Sequence, residues 1–168
     1  MQFNIISDSR KKTPRKKIIK LMTAIEKKEA APNSSININF INDYRIARLN
    51  EEFRNKSGPT DVLSFNLDDD EGSDSILGEI YISTDTAEKN AKINGVTYTD
   101  EVLRLCCHGF LHLLGYDHEA VKDKKVMEEK ESFYMDGGAD GNISLFDPDS
   151  NYLFSGTYSL VVLIGRIS

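Results

Sequence analysis

A chain of 168 residues, 39% hydrophobic and 29% charged, reads as one ordinary globular domain. It is long enough to bury about two-thirds of its unfolded surface without staples. Met1 to Arg10 hold no signal-peptide core, and no run approaches the ~20 apolar residues of a membrane span, so the expectation is a cytoplasmic protein with no membrane partner. The net charge of −6 alone argues against a nucleic-acid partner.

The elements follow in order. "MQFNIIS" is a strand. Pro14 suits the first turn of a helix through "RKKIIKLMTAIEKKE", with Ile18, Leu21, Met22 and Ile25 at helical spacing. "SININF" alternates Ile36, Ile38 and Phe40 as a half-buried strand does. "NDYRIARLNEEFRN" is a helix that Asp43 can cap, with Ile46, Leu49 and Phe53 on one face. "DVLSFNL" is a strand with Val62, Ser64 and Asn66 opposite Leu63, Phe65 and Leu67. The acidic loop "DDDEGSD" and the strand "ILGEIYIST" come next. "DTAEKNAKIN" is helical and stops near Gly95. "TDEVLRLCCHGFLHLL" is a central helix, apolar on nearly all sides, capped by Thr99 or Asp100 and ended by Gly115. "EAVKDKKVMEEKESFYM" is a charged helix with Val121, Val126 or Met127, and Phe133 or Tyr134 inward. Residues 1–135 form one domain. Residues 136–168 change to Gly, Ser and Asp and end on "YSLVVLIG", an atypical extension with one or two β segments or a non-native tail. The fold class is α+β, a small mixed sheet packed against helices, with a central helix carrying two histidines.

All three histidines fall in "HGFLHLLGYDH". His108 and His112 are one helical turn apart on one face, so their imidazoles can converge on one ion. Gly115 can take positive φ and swing His118 back toward them. The frame H-x3-H-x5-H matches that of the metzincin proteases and predicts one zinc with an open fourth position. A water bound there falls to a pKa near ~7 and becomes a nucleophile. In the proteases the residue after the first histidine is a glutamate that serves as general base; here it is Gly109. Either the base comes from elsewhere, with Asp117 and Glu119 as nearby carboxylates that otherwise support the ligands or face solvent, or the chemistry leans on the metal hydroxide. Arg104, on the histidine stripe, either supports the site or pairs with a local carboxylate. Cys106 and Cys107 point away from that stripe and read as core; adjacent and without disulfide spacing, they suit a reducing compartment.

The run "RKKTPRKKIIK" holds seven basic residues in eleven. It is either the solvated face of a helix or a phosphate-binding patch, with Arg10, Lys11, Lys12, Arg15 and Lys16 as candidate phosphate contacts.

"HGFLHLLGYDH" closely resembles the signature of the YbeY family of bacterial metal-dependent endoribonucleases. "LNEEFRNKSGPTDVLSF", "LGEIYIS" and "DEVLRLCCHG" also resemble that family's segments, and the resemblance runs from Met1 to Met135. It implies an α+β fold and zinc held by three histidines. It also implies cleavage of single-stranded RNA in ribosomal RNA maturation, notably the 16S 3′ end, and ribosome quality control, with the small ribosomal subunit or its proteins as partners. The family's functional arginine falls on Arg54, where a guanidinium would stabilise charge on a phosphodiester under attack. The bland reading of Arg54 is an ion pair with Glu51 or Glu52. Two other functions fit the histidines: a metzincin-like metalloprotease, and a non-catalytic ribosome-associated metal-binding protein.

Overall fold

The computed structural model describes residues 1–67, 76–116, 121–137 and 163–165. The alternation of Ile36, Ile38 and Phe40 places β2 (Ser35–Ile41) inside a sheet, between β1 (Gln2–Ser7) and β4 (Ile76–Ser83), parallel to both. β3 (Val62–Asn66) runs antiparallel to β4 on its other side. β5 (Leu163–Gly165), in the C-terminal extension, pairs parallel with β3 at the edge, so the strand order is β1-β2-β4-β3-β5. The mixed sheet and the α+β class agree with the sequence reading. The acidic loop, and the extension apart from Asp136, Gly137 and β5, lie outside the described residues.

Period-two alternation gives the sheet two covered faces. Val62, Ile80 and Ile82 join the main core with Ile18, Leu21, Met22 and Ile25 of α1 (Arg15–Glu29), Ala87 of α3 (Thr84–Asn94) and most of α4 (Tyr98–Leu113). Leu63 and Phe65 face the other way. There, Ile46, Leu49 and Phe53 of α2 (Asp43–Arg54) cover them. α4 is the central helix: every residue from Asp100 to Leu113 is buried. Each of its leucines and Phe110 gains about 1.5–3 kcal/mol from leaving water. α5 (Val121–Met135) turns Met127, Tyr134 and Met135 inward and leaves Val126 and Phe133 exposed; the burial expected of Val121 lies outside the described residues.

Two helix starts differ from expectation. Asn42, not Asp43, caps α2, its side chain accepting from the Arg45 N–H at 2.9 Å. Asp43 is drawn away to accept from the hydroxyls of Ser83 and Thr86 and from Lys89, tying α2 to α3. Thr97, not Thr99 or Asp100, caps α4. The left-handed Gly95 closes α3, and the extended Thr97 can then turn its hydroxyl onto the Asp100 N–H. No helix among the described residues is long and apolar enough to cross a membrane.

Candidate active site

The C-terminal end of α4 builds the site. His108 and His112 are 2% and 1% exposed, and their Nε2 atoms stand 3.2 Å apart. Two lone pairs facing at that distance repel unless a proton or a cation lies between them. The spacing is close to the about 3.3 Å that two ligands of one tetrahedral zinc keep at bond lengths of about 2.0–2.1 Å. The residues fit a metal on donor type and convergence. Among the described residues no group of three His, Cys, Asp or Glu forms a metal set. The other residues read near the metal, His118, Asp117 and Glu119, lie outside the described residues.

Past His112 the helix ends in a Schellman turn. Gly115, at φ +92°, donates to His112 O, and Tyr116 donates to Leu111 O. Only glycine takes that φ without strain, and the chain therefore reverses sharply just before residues 117–120.

Gly109 faces the sheet. A Cβ there would lie 2.8 Å from Ile80 Cγ2 and 3.0 Å from Ser64 Oγ, while the Ser64 hydroxyl donates to Gly109 O. The position that holds a glutamate in the proteases is here a close-packing point against β3 and β4. A glutamate would collide with the sheet and point away from the imidazoles.

Behind His108 stands Glu131 of α5, 1% exposed, its carboxylate bonded to His108 Nδ1. The sequence reading missed this residue. Glu128, Glu129 and Glu131 look alike along a charged helix. The available signal was spacing: Glu131 lies four after Met127 and three before Tyr134, on the inward stripe.

Arg54 closes α2. Its Nη1 donates to Asn50 Oδ1 at 3.0 Å, and Asn50 Nδ2 donates to Gly58 O at 2.9 Å, which anchors the arginine to the following loop. The ion pair with Glu51 or Glu52 is not formed; both glutamates are exposed, and the buried Asn50 takes the contact instead. The Nε and Nη2 groups of Arg54 are buried and have no hydrogen-bond partner among the described residues. These two lie on one edge of the guanidinium, where N–H bonds run nearly parallel. Burial pushes the Arg54 pKa down, and the Asp61 carboxylate opposes that shift.

Asp61 links the parts. It is 2% exposed, accepts from Val62 N–H at 2.9 Å, and is felt electrostatically by Arg54, Arg104 and His108. Burial raises its pKa, and Arg104 and His108 offset part of the rise. Arg104 grips Glu101 with Nε at 3.1 Å and Nη2 at 2.6 Å. It is therefore the partner of a local carboxylate. Cys106 and Cys107 are free and buried in the core, where burial pushes both thiols up.

The basic run sits elsewhere. Lys12, Arg15, Lys16 and Lys17 line a groove of about 610 Å³ with Tyr98 and Thr99, at the N-terminal end of α4. Lys11 pairs with Glu88 at 2.7 Å, Arg15 donates to Ile5 O at 2.8 Å, and Arg10 is exposed. Direct contacts join His108, His112 and Glu131, Asp61 interacts electrostatically with both His108 and Arg54, and the basic run lies at the helix's other end.

A family model described as Endoribonuclease YbeY matches residues 3–137. The Endoribonuclease YbeY of Aquifex aeolicus is 41% identical over 104 residues, covering 61% of this chain and 69% of the relative. That of Thermotoga neapolitana is 36% identical over 135 residues, 80% of this chain and 87% of the relative. The match to the protein of Anaeromyxobacter dehalogenans is 43% identical and covers 60% of this chain, but spans only about half, 52%, of that relative. A solution structure from Thermotoga maritima superposes with a TM-score of 0.57 at 31% identity, over 90% of this chain and 100% of that one. The chain thus belongs to the YbeY endoribonuclease family.

Proposed function

We propose that this chain is a zinc-dependent endoribonuclease that cuts single-stranded RNA, acting on ribosomal RNA at the 16S 3′ end and in ribosome quality control. The observation that carries the reading is the 3.2 Å approach of His108 Nε2 to His112 Nε2 in a buried site. His108, His112 and His118 would hold the ion. When bound, zinc supplies Lewis-acid charge at the scissile phosphate.

The chain's own residues do the rest. The Nε–Nη2 edge of Arg54 offers two donors for two oxygens of one phosphoryl group. Each buried donor without a partner costs about 1–3 kcal/mol, so an oxyanion there relieves a standing penalty. Asn50 keeps the guanidinium in place, and that preorganisation favours charge that grows during attack. Against the protease alternative, position 109 cannot supply its base, since Gly109 is closed off by Ile80 and Ser64.

The test is to quantify bound metal and incubate the protein with single-stranded RNA and with casein, beside His112→Ala. RNA cleavage lost with both metal and His112 supports the reading. Cleavage that survives both losses overturns it, and chelator-sensitive casein cleavage favours the protease.

A further inference from the structure

Glu131 occupies a core position with a charge. Along α5 the buried residues are Met127, Glu131, Tyr134 and Met135, a stripe on which an apolar side chain would pack without penalty. A carboxylate taken out of water loses several kcal/mol of solvation unless it is paired. Among the described residues it pairs with His108 Nδ1, contributed by another helix 23 residues away in sequence. An ionised Glu131 can only accept, and in that pairing the proton sits on His108 Nδ1. The lone pair is then left on Nε2, the atom that meets His112 Nε2.

The geometry points to Glu131 as a positioning residue that fixes the tautomer and ring orientation of His108 for metal binding. This rests on the metal reading above and adds a residue to it. The carboxylate also makes the imidazole a better donor by drawing on its N–H, an effect whose loss typically lowers metal affinity about 10- to 100-fold. The contact further makes α5 part of the site, because the helix that closes over α4 also sets the orientation of a ligand.

The experiment uses the full chain, stripped of metal, as wild type, Glu131→Gln and Glu131→Leu. Zinc affinity is read by competition with a chromophoric chelator, and the His108 tautomer by ring 15N shifts in the metal-free protein. In wild type the His108 proton is expected on Nδ1. Glu131→Gln keeps an acceptor, so it should fold, keep that tautomer and bind zinc about 10-fold more weakly, with Glu131→Leu near the 100-fold end and its tautomer mixed. A merely structural role would lower the thermal midpoint of Glu131→Gln and leave its zinc affinity unmoved. That result, or a wild-type proton on Nε2, overturns the inference. A wild type that takes up no zinc overturns the metal reading and this inference with it; wild-type uptake matched by both variants overturns this inference alone. Should Glu131→Leu fail to fold, Glu131→Gln alone decides.

Discussion

The two ends of α4 both gather polar side chains, and they are built on opposite principles. At the N-terminal end Lys12, Arg15, Lys16 and Lys17 project into water around Tyr98 and Thr99. Three of these cations occupy the first turn of α1, which has no acid and no side-chain cap. The positive end of a helix dipole disfavours each by about 0.3–1 kcal/mol. Roughly nine residues further along α4, about 14 Å, His108, His112 and Glu131 are all but sealed from solvent. Charges in water need no partners, so their placement says little about chemistry. Buried polar groups must be partnered, and a group whose partners leave an edge open identifies what the site is built to take.

Arg54 gives the largest expected break in that contrast. Arg104 has its fork closed on Glu101; Arg54 has one nitrogen on Asn50 and, among the described residues, a two-donor edge left over. Arg54→Lys keeps the charge and removes the edge. Single-turnover cleavage of a single-stranded RNA should fall about 10²- to 10³-fold, the usual effect of losing an oxyanion donor. Urea stability should hold or rise, because buried unsatisfied donors disappear. A lysine variant as fast as the parent would show that the edge is not used.

Gly109 tests why the buried end is so closely packed. A Cβ at 2.8 Å from Ile80 Cγ2 forces α4 off the sheet, so Gly109→Ala should lose about 1–3 kcal/mol in urea unfolding. Cleavage should fall with it, since His108 rides on the same turn. An alanine variant of unchanged stability would return the missing-base question to the chemistry.

Much of this was legible in the sequence, for a physical reason. Helical spacing in α1 and alternation in β2 are imposed by burial, and they were written in Ile18, Leu21, Met22, Ile25 and in Ile36, Ile38, Phe40. The helical spacing of His108 and His112 was equally plain, because i and i+4 share a face on any helix. Caps were misread by one to three residues, since Asn42 and Asp43, or Thr97 and Thr99, are equally able and the neighbours decide. Glu131, Asp61 and Asn50 were missed because their roles exist only across elements. Within its own segment each is one polar residue among several.

Glu29 of α1 offers a middle-sized test, where α5 meets the turn after α4. It accepts from Tyr116 at 2.6 Å, from Lys130 at 2.7 Å and from Tyr134, joining α1 to α5 and to the turn that follows α4. Burial alone would raise its pKa, but Lys130 and the two phenols hold it below 4.5. A carboxyl depressed in the folded state contributes stability above its unfolded pKa and loses it as pH falls through the folded one. The stability difference between wild type and Glu29→Gln should therefore be full above about pH 5 and shrink progressively below that in acid titrations. A difference that stays constant with pH would mean that shape, not charge, holds the clamp.

The smallest effect belongs to the exposed end, and it sharpens the comparison most directly. Lys12→Glu with Lys16→Glu should change stability by no more than about 0.5 kcal/mol, because both side chains stand in water. If single-stranded RNA reaches that groove, the pair should weaken binding and flatten the slope of log affinity against log salt by about 0.7 per lost phosphate contact. The single-turnover rate at saturating RNA should stay where it was, since neither lysine belongs to the cluster around His108. An unchanged salt slope would make the basic run a solvated helix face and confine RNA recognition to the buried end. A flattened slope with an intact rate would make the ends of α4 two halves of one surface, one gripping the backbone and the other cutting it.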